Sequence, residues 1–176
     1  MNAAVVNAEE AILPGSAFRY PLDVRFFEVD SLGVVFNMWY LGWCDEAMSA
    51  FMESIGYGYA TLRKGGVDAV LRKAAVEWLD SLQAFQHAEI CVRVDHVGTT
   101  SFRLSYDIER VDEPLAGSGT TELAGLSEAP GLDRAPGLDR ALCARVAITY
   151  VCVEIAGRST TPIPPGMREA LTEGPA

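Results

Sequence analysis

The hydrophobic period of this chain changes once between residues 18 and 55, and that change restricts the fold more than any other feature. From Phe18 the sequence alternates Phe18, Tyr20, Leu22, Val24 and Phe26 against Arg19, Pro21, Asp23 and Arg25. A period of two marks a strand with one buried face, and Pro21 assigns it to an edge. Val29-Asp30-Ser31-Leu32-Gly33 breaks the alternation. Tyr40, Trp43, Cys44, Ala47, Met48, Phe51, Met52 and Ile55 then recur at spacings of three and four, a broad helical stripe that Gly56 is suited to end. After Gly65-Gly66, strands are expected at Val67–Leu71 running on through Ala74–Trp78, at Ala88–His96, at Phe102–Val111 and at Ala144–Glu154. Gly98-Thr99-Thr100 supplies a hairpin turn between the second and third of these. One long helix followed by successive strands predicts an α+β fold in which a curved antiparallel sheet wraps the helix.

Three segments fall outside this pattern. Residues 1–16 are small, acidic and aperiodic, and are read as a flexible leader. Residues 112–142 carry no period and contain Ala129-Pro130-Gly131-Leu132-Asp133-Arg134 repeated at once as residues 135–140. An unstructured connection of that length is unusual inside a compact domain, so the segment reads as a loop inserted into a single domain spanning residues 17–176. Near the end, Pro162-Ile163-Pro164-Pro165-Gly166 predicts a turn leading into a short helix.

Composition removes several function classes. A net charge of −10 opposes nucleic-acid binding, which needs a basic surface. The same charge gives no bulk attraction for a polyanionic nucleotide, although a few local cations would suffice. No apolar run approaches the roughly 20 residues that cross a bilayer, and the N-terminus lacks the order of a secretion signal, so a cytoplasmic protein is expected. Cys44, Cys91, Cys143 and Cys152 are dispersed without a CxxC pair, which predicts buried, reduced thiols. His87 and His96 have no acidic or thiol neighbours at ligand spacing, so neither a metal nor another cofactor is expected.

The place where the first strand feeds the helix is chemically distinct. A helix N-terminus has unpaired N–H groups and a partial positive charge, which polarise a carbonyl oxygen. Asn37 stands at that entry, and Asp30 lies a few residues upstream, where a carboxylate can attack a bound carbonyl or activate water. Asp-Ser-Leu-Gly is also what a tight Asx turn requires with no chemistry at all, and spacing alone favours that turn. Asp23 falls on the outward strand face and Glu28 reads as an ordinary strand-end charge.

The run Phe27-Glu28-Val29-Asp30-Ser31-Leu32-Gly33-Val34-Val35-Phe36-Asn37-Met38-Trp39-Tyr40-Leu41-Gly42-Trp43 resembles the signature of the 4-hydroxybenzoyl-CoA thioesterase family. The shared pattern is an acid, two variable residues, a glycine, two aliphatics, and then a tyrosine and an aromatic on the helix. The resemblance implies a hot-dog fold, with Asp30 as catalytic carboxylate and the Asn37 backbone N–H holding the thioester oxygen. It implies Tyr40 as a pocket residue by family position. It also implies a homodimer whose subunits join their sheets, with tetramers common, acting on an acyl-CoA or acyl-carrier-protein thioester without a metal or redox cofactor.

Two departures bear on substrate choice. Many members carry His where Asn37 stands and Asn where Trp39 stands, and some carry cations in the turn matching Gly98-Thr99-Thr100, where this chain has none. Arg72 and Lys73 are the remaining candidates for the phosphates of coenzyme A, although such charges on exposed strands are ordinarily just solvated, as for Arg93 and Arg103. The rivals to acyl-CoA hydrolysis are release of a fatty or polyketide chain from a carrier protein and non-catalytic binding of acyl thioesters. A hydratase is disfavoured, because no Asp and His form an acid-base pair on the helix.

Overall fold

The computed structural model of the chain describes residues 17–111 and 140–174. Five strands, β1 (Phe18–Asp23), β2 (Val67–Trp78), β3 (His87–Val97), β4 (Ser101–Val111) and β5 (Arg140–Glu154), form one sheet in the order β1-β3-β4-β5-β2. Every neighbouring pair is antiparallel. The strands β1 and β2 are consecutive in sequence yet lie at opposite edges, so the chain between them must cross the whole sheet. It does so as the 17-residue helix α1 (Met38–Ser54). This is the hot-dog arrangement expected from the sequence.

The helical stripe forms the contact. Tyr40, Trp43, Cys44, Ala47, Phe51 and Met52 are buried against Ile90, Val92, Leu104, Tyr106, Val146 and Ile148 of the inner sheet face. Phe51 also meets Phe18 of β1 edge-on, with ring centroids 5.8 Å apart. Burying each large apolar side chain among these contributes about 1.5–3 kcal/mol, so the interface is a main support of the fold. Gly56 takes a positive φ of 78° where the helix ends, as its position suggested. Two shorter helices, α2 (Tyr59–Lys64) and α3 (Pro165–Glu173), complete the described residues. In α3, Met167 and Leu171 are buried and Arg168 donates to the Gly98 and Thr99 carbonyls of the β3–β4 turn.

The structure shifts several sequence-derived boundaries. The first strand stops at Asp23 rather than reaching Phe26, because Phe26–Glu28 form a 3-10 turn held by Arg25 N–H donating to the Glu28 carboxylate at 2.7 Å. The last strand begins at Arg140, not Ala144, which moves the end of the insertion from 142 to 139. Val111 and Arg140 face each other across β4 and β5. The leader at 1–16 and the insertion at 112–139, with all but the last residue of its repeat, lie outside the described residues. The register of β2 slips between Leu71 and Lys73, which leaves Arg72 as a bulged residue.

Candidate active site

The site begins where β1 ends. After the 3-10 turn, residues 28–36 fold back on themselves as a small hairpin. Asp30 N–H donates to Val34 O at 2.8 Å, Gly33 N–H to Asp30 O at 3.0 Å, and Phe36 N–H to Glu28 O at 2.9 Å. Gly33 adopts φ +77°, the left-handed conformation that closes a three-residue hairpin loop. A second support comes from the segment before β3, where Val34 bridges Gln83 and Val35 N–H donates to Leu82 O at 2.8 Å.

The turn expected of Asp30 is present. Its Oδ1 accepts the Leu32 N–H at 2.8 Å, while Oδ2 has no donor among the described residues. The Asx turn therefore fixes the carboxylate by one oxygen and leaves the other open to a ligand. On the returning arm of the hairpin, Asn37 is exposed, has helical angles (φ −50°, ψ −32°), and does not cap the helix with its side chain. Its backbone N–H has no acceptor among the described residues. Asp30 and Asn37 thus stand on the two arms of one hairpin, three ladder positions apart, or roughly 10 Å along the strand direction. The hairpin thus carries a carboxylate on one arm and an exposed backbone donor on the other.

Apolar side chains surround these groups without being covered by the chain itself. Leu32, Phe36 and Met38 are exposed, and Phe27 meets Trp39 edge-on with centroids 5.4 Å apart. Phe26 stacks on Phe85, whose backbone holds φ +66° through an N–H donated to Val24 O.

The other candidates are placed differently. Tyr40 is 2% exposed and packs on Trp43, with ring centroids 5.1 Å apart. Burial pushes its phenol up to about 12, with a hydrogen bond from the Leu82 main chain pulling the other way. Tyr40 therefore lies beneath the hairpin, on the residue whose carbonyl holds Val35. Arg72 and Lys73 are exposed on β2, six and five residues before Trp78. That is roughly 20 Å of strand from the end of β2 that leads toward Leu82, so one protomer does not bring these cations to Asp30. Asp23 pairs with His87 at 2.5 Å, beside the outer edge of the sheet. All four cysteines are free and buried, as expected.

Glu28 departs from the expectation drawn from the sequence. Far from being an ordinary strand-end charge, it is 0% exposed, and it accepts hydrogen bonds from Arg25 and from Trp43 Nε1. The available signal was the spacing of Arg25 and Glu28, which allows a local ion pair. The donor from Trp43, fifteen residues away, was not readable.

A sequence model described as the Thioesterase-like superfamily matches residues 24–171, which takes in the hairpin, α1 and all the strands after it. The chain belongs to the thioesterase-like superfamily. An Aquifex aeolicus protein with a provisional esterase name is 28% identical to it over 103 residues, which cover 58% of this chain and 80% of that one. A chloroplastic acyl-acyl carrier protein thioesterase of Arabidopsis thaliana is 28% identical over 86 residues, covering 49% of this thioesterase-like chain but only 44% of the plant protein. The crystal structure of a 1,4-dihydroxy-2-naphthoyl-CoA thioesterase from Synechocystis superposes with a TM-score of 0.65 at 18% identity, over 89% of this chain and 96% of the other. At that identity the likeness establishes the shared fold.

Proposed function

We propose that the protein hydrolyses an acyl-CoA thioester in the manner of the 4-hydroxybenzoyl-CoA thioesterases, with Asp30 as its catalytic carboxylate. The observation that carries this reading is the hairpin itself. It pins one oxygen of Asp30 and, among the described residues, leaves the other without a donor and the Asn37 N–H on its opposite arm without an acceptor. The thioester oxygen binds the Asn37 N–H, which stabilises negative charge as the carbonyl carbon becomes tetrahedral. Asp30 either attacks that carbon, giving a mixed anhydride that water then cleaves, or removes a proton from an attacking water. In both routes the C–S bond breaks and the departing thiolate takes up a proton. Tyr40 supports the site from beneath through Leu82.

The proposed unit is a homodimer. Along the inner face of edge strand β2, the apolar residues Leu71 and Trp78 remain 51% and 48% exposed, and Leu79 beyond it is also open. A long apolar edge strand is a template for pairing with a second chain. A second copy on this edge would cover it and bring Arg72 and Lys73 into play as contacts for coenzyme A.

The test is thiol release from a panel of aliphatic and aromatic acyl-CoAs by the unaltered chain and by Asp30→Asn. The expected result is hydrolysis that the substitution lowers by roughly 10²–10⁴-fold. Undiminished hydrolysis by a folded Asp30→Asn protein would sink the mechanism. One observation favours a carrier-protein ester instead. The β3–β4 turn has no cation of its own, and Arg168 beside it is engaged with carbonyls. Hydrolysis that improves when the same acyl group is moved from CoA to a carrier protein would support that reading.

A further inference from the structure

Two acids are buried among the described residues, Glu28 and Glu89. Glu89 belongs to an ion-pair ladder on the outer face of the sheet, with Arg19 and Arg140. Glu28 pairs instead with a single arginine, Arg25, at 2.8 Å and lies in the loop of the proposed site, where acidic side chains are rarely buried without a structural or chemical reason.

Its bonds join three separate parts of the chain. Oε2 accepts the Arg25 backbone N–H at 2.7 Å, at the exit of β1. Oε1 accepts Arg25 Nε at 3.0 Å and the indole N–H of Trp43, on the second turn of α1, at 2.9 Å. Its own carbonyl accepts the Phe36 N–H at 2.9 Å, on the returning arm of the hairpin. Asp30 is two residues after Glu28, and Asn37 is the residue after Phe36. The two groups proposed to act on the thioester therefore hang from opposite sides of one anchored residue.

We infer that Glu28 is a positioning residue, whose carboxylate locks the hairpin to α1 and so sets the separation of Asp30 from the Asn37 N–H. The inference rests on the proposed hydrolysis for its kinetic consequence, but not for its structural one. A carboxylate suits the task because both of its oxygens accept, and donors converge on each. Glutamine keeps the shape but offers one acceptor, so whichever way its amide turns, an NH2 group faces a donor.

The experiment compares Glu28→Gln with Trp43→Phe, which removes the tie to the helix together with part of a buried ring. For each, kcat and KM are measured with the best thioester, and backbone amide exchange is followed at Phe36 in the full-length protein. Mispositioning should lower kcat by roughly 10- to 100-fold, leave KM within about twofold, and speed exchange at Phe36. A residue that merely stabilises the fold would lower the melting temperature and leave kcat of the folded protein unchanged. Folded Glu28→Gln protein with unaltered kcat and protected Phe36 would overturn the inference. If Glu28→Gln does not fold, the same readings on Trp43→Phe decide it. If the unaltered chain hydrolyses no thioester, it is the proposed function that fails. The Phe36 exchange rate then decides Glu28 alone, with slow exchange in the variant counting against it.

Discussion

One chemical change, Gly→Ala, should have opposite effects at two places in this site region. At Gly33 a Cβ would meet nothing within 4 Å, so there is no steric clash to consider. What remains is the backbone, held at φ +77° to close the hairpin. Placing an L-side chain there costs about 1–2 kcal/mol, which outweighs the gain of about 0.4–1 kcal/mol from a stiffer unfolded chain. At Gly42, inside α1, a Cβ would touch only Trp39 Cε3, at an ordinary 3.9 Å. There the helix favours alanine by about 0.5–1 kcal/mol. Thermal melts should therefore move apart, with Gly42→Ala above the unaltered protein and Gly33→Ala below it, at about 2–4 °C per kcal/mol for a domain of this size. Gly33→Ala should also lose thioester hydrolysis, because this turn is the one that orients Asp30. Melting shifts of the same sign in both variants would refute the reasoning.

Other expectations follow from burial and charge. A thiol reagent should label the folded protein slowly and all four cysteines in denaturant, since burial raises every thiol, Cys152 to about 11; rapid labelling without denaturant would contradict it. For Glu89, burial alone would raise the pKa, but the hydrogen bonds from Arg140 and Arg19 outweigh it and the value is lowered. The stability Glu89 contributes is thus present above its unfolded pKa and lost as pH falls through the folded one. Urea melts on acidification below about pH 4.5 should show a smaller loss for Glu89→Gln than for the unaltered chain. Sedimentation should find a dimer that Trp78→Glu dissociates, and a monomeric unaltered chain would refute the proposed pairing of β2.

The fold was legible where one face is buried and the other is not. In β4 the burial alternates residue by residue from Ser101 to Ile108, and the sequence alternates with it. The six buried positions of α1 all belong to the stripe read from spacing. Legibility failed where one backbone rule gave way to another. The first strand keeps its alternation on paper through Phe26, but the local bonds between Arg25 and Glu28 turn the chain after Asp23. The bulge at Arg72 leaves no trace in composition, because slipping one residue changes partners without changing side chains. In the site, Asp30 could be named from its motif, and its Asx turn from its neighbours. Glu28 could not, since its burial depends on an indole that only the folded helix brings near.

The pairing of Val111 with Arg140 has a consequence for how this chain can change over time. The described part of β4 ends at Val111 and β5 begins at Arg140, and these two residues already face each other. For a flexible connection of the length that separates them in sequence, the loop-closure relation makes adding or removing six residues worth about 0.2 kcal/mol. No strand has to shift its register to accommodate it. As far as the pairing of β4 with β5 is concerned, a copying slip that doubles Ala-Pro-Gly-Leu-Asp-Arg therefore costs the sheet little.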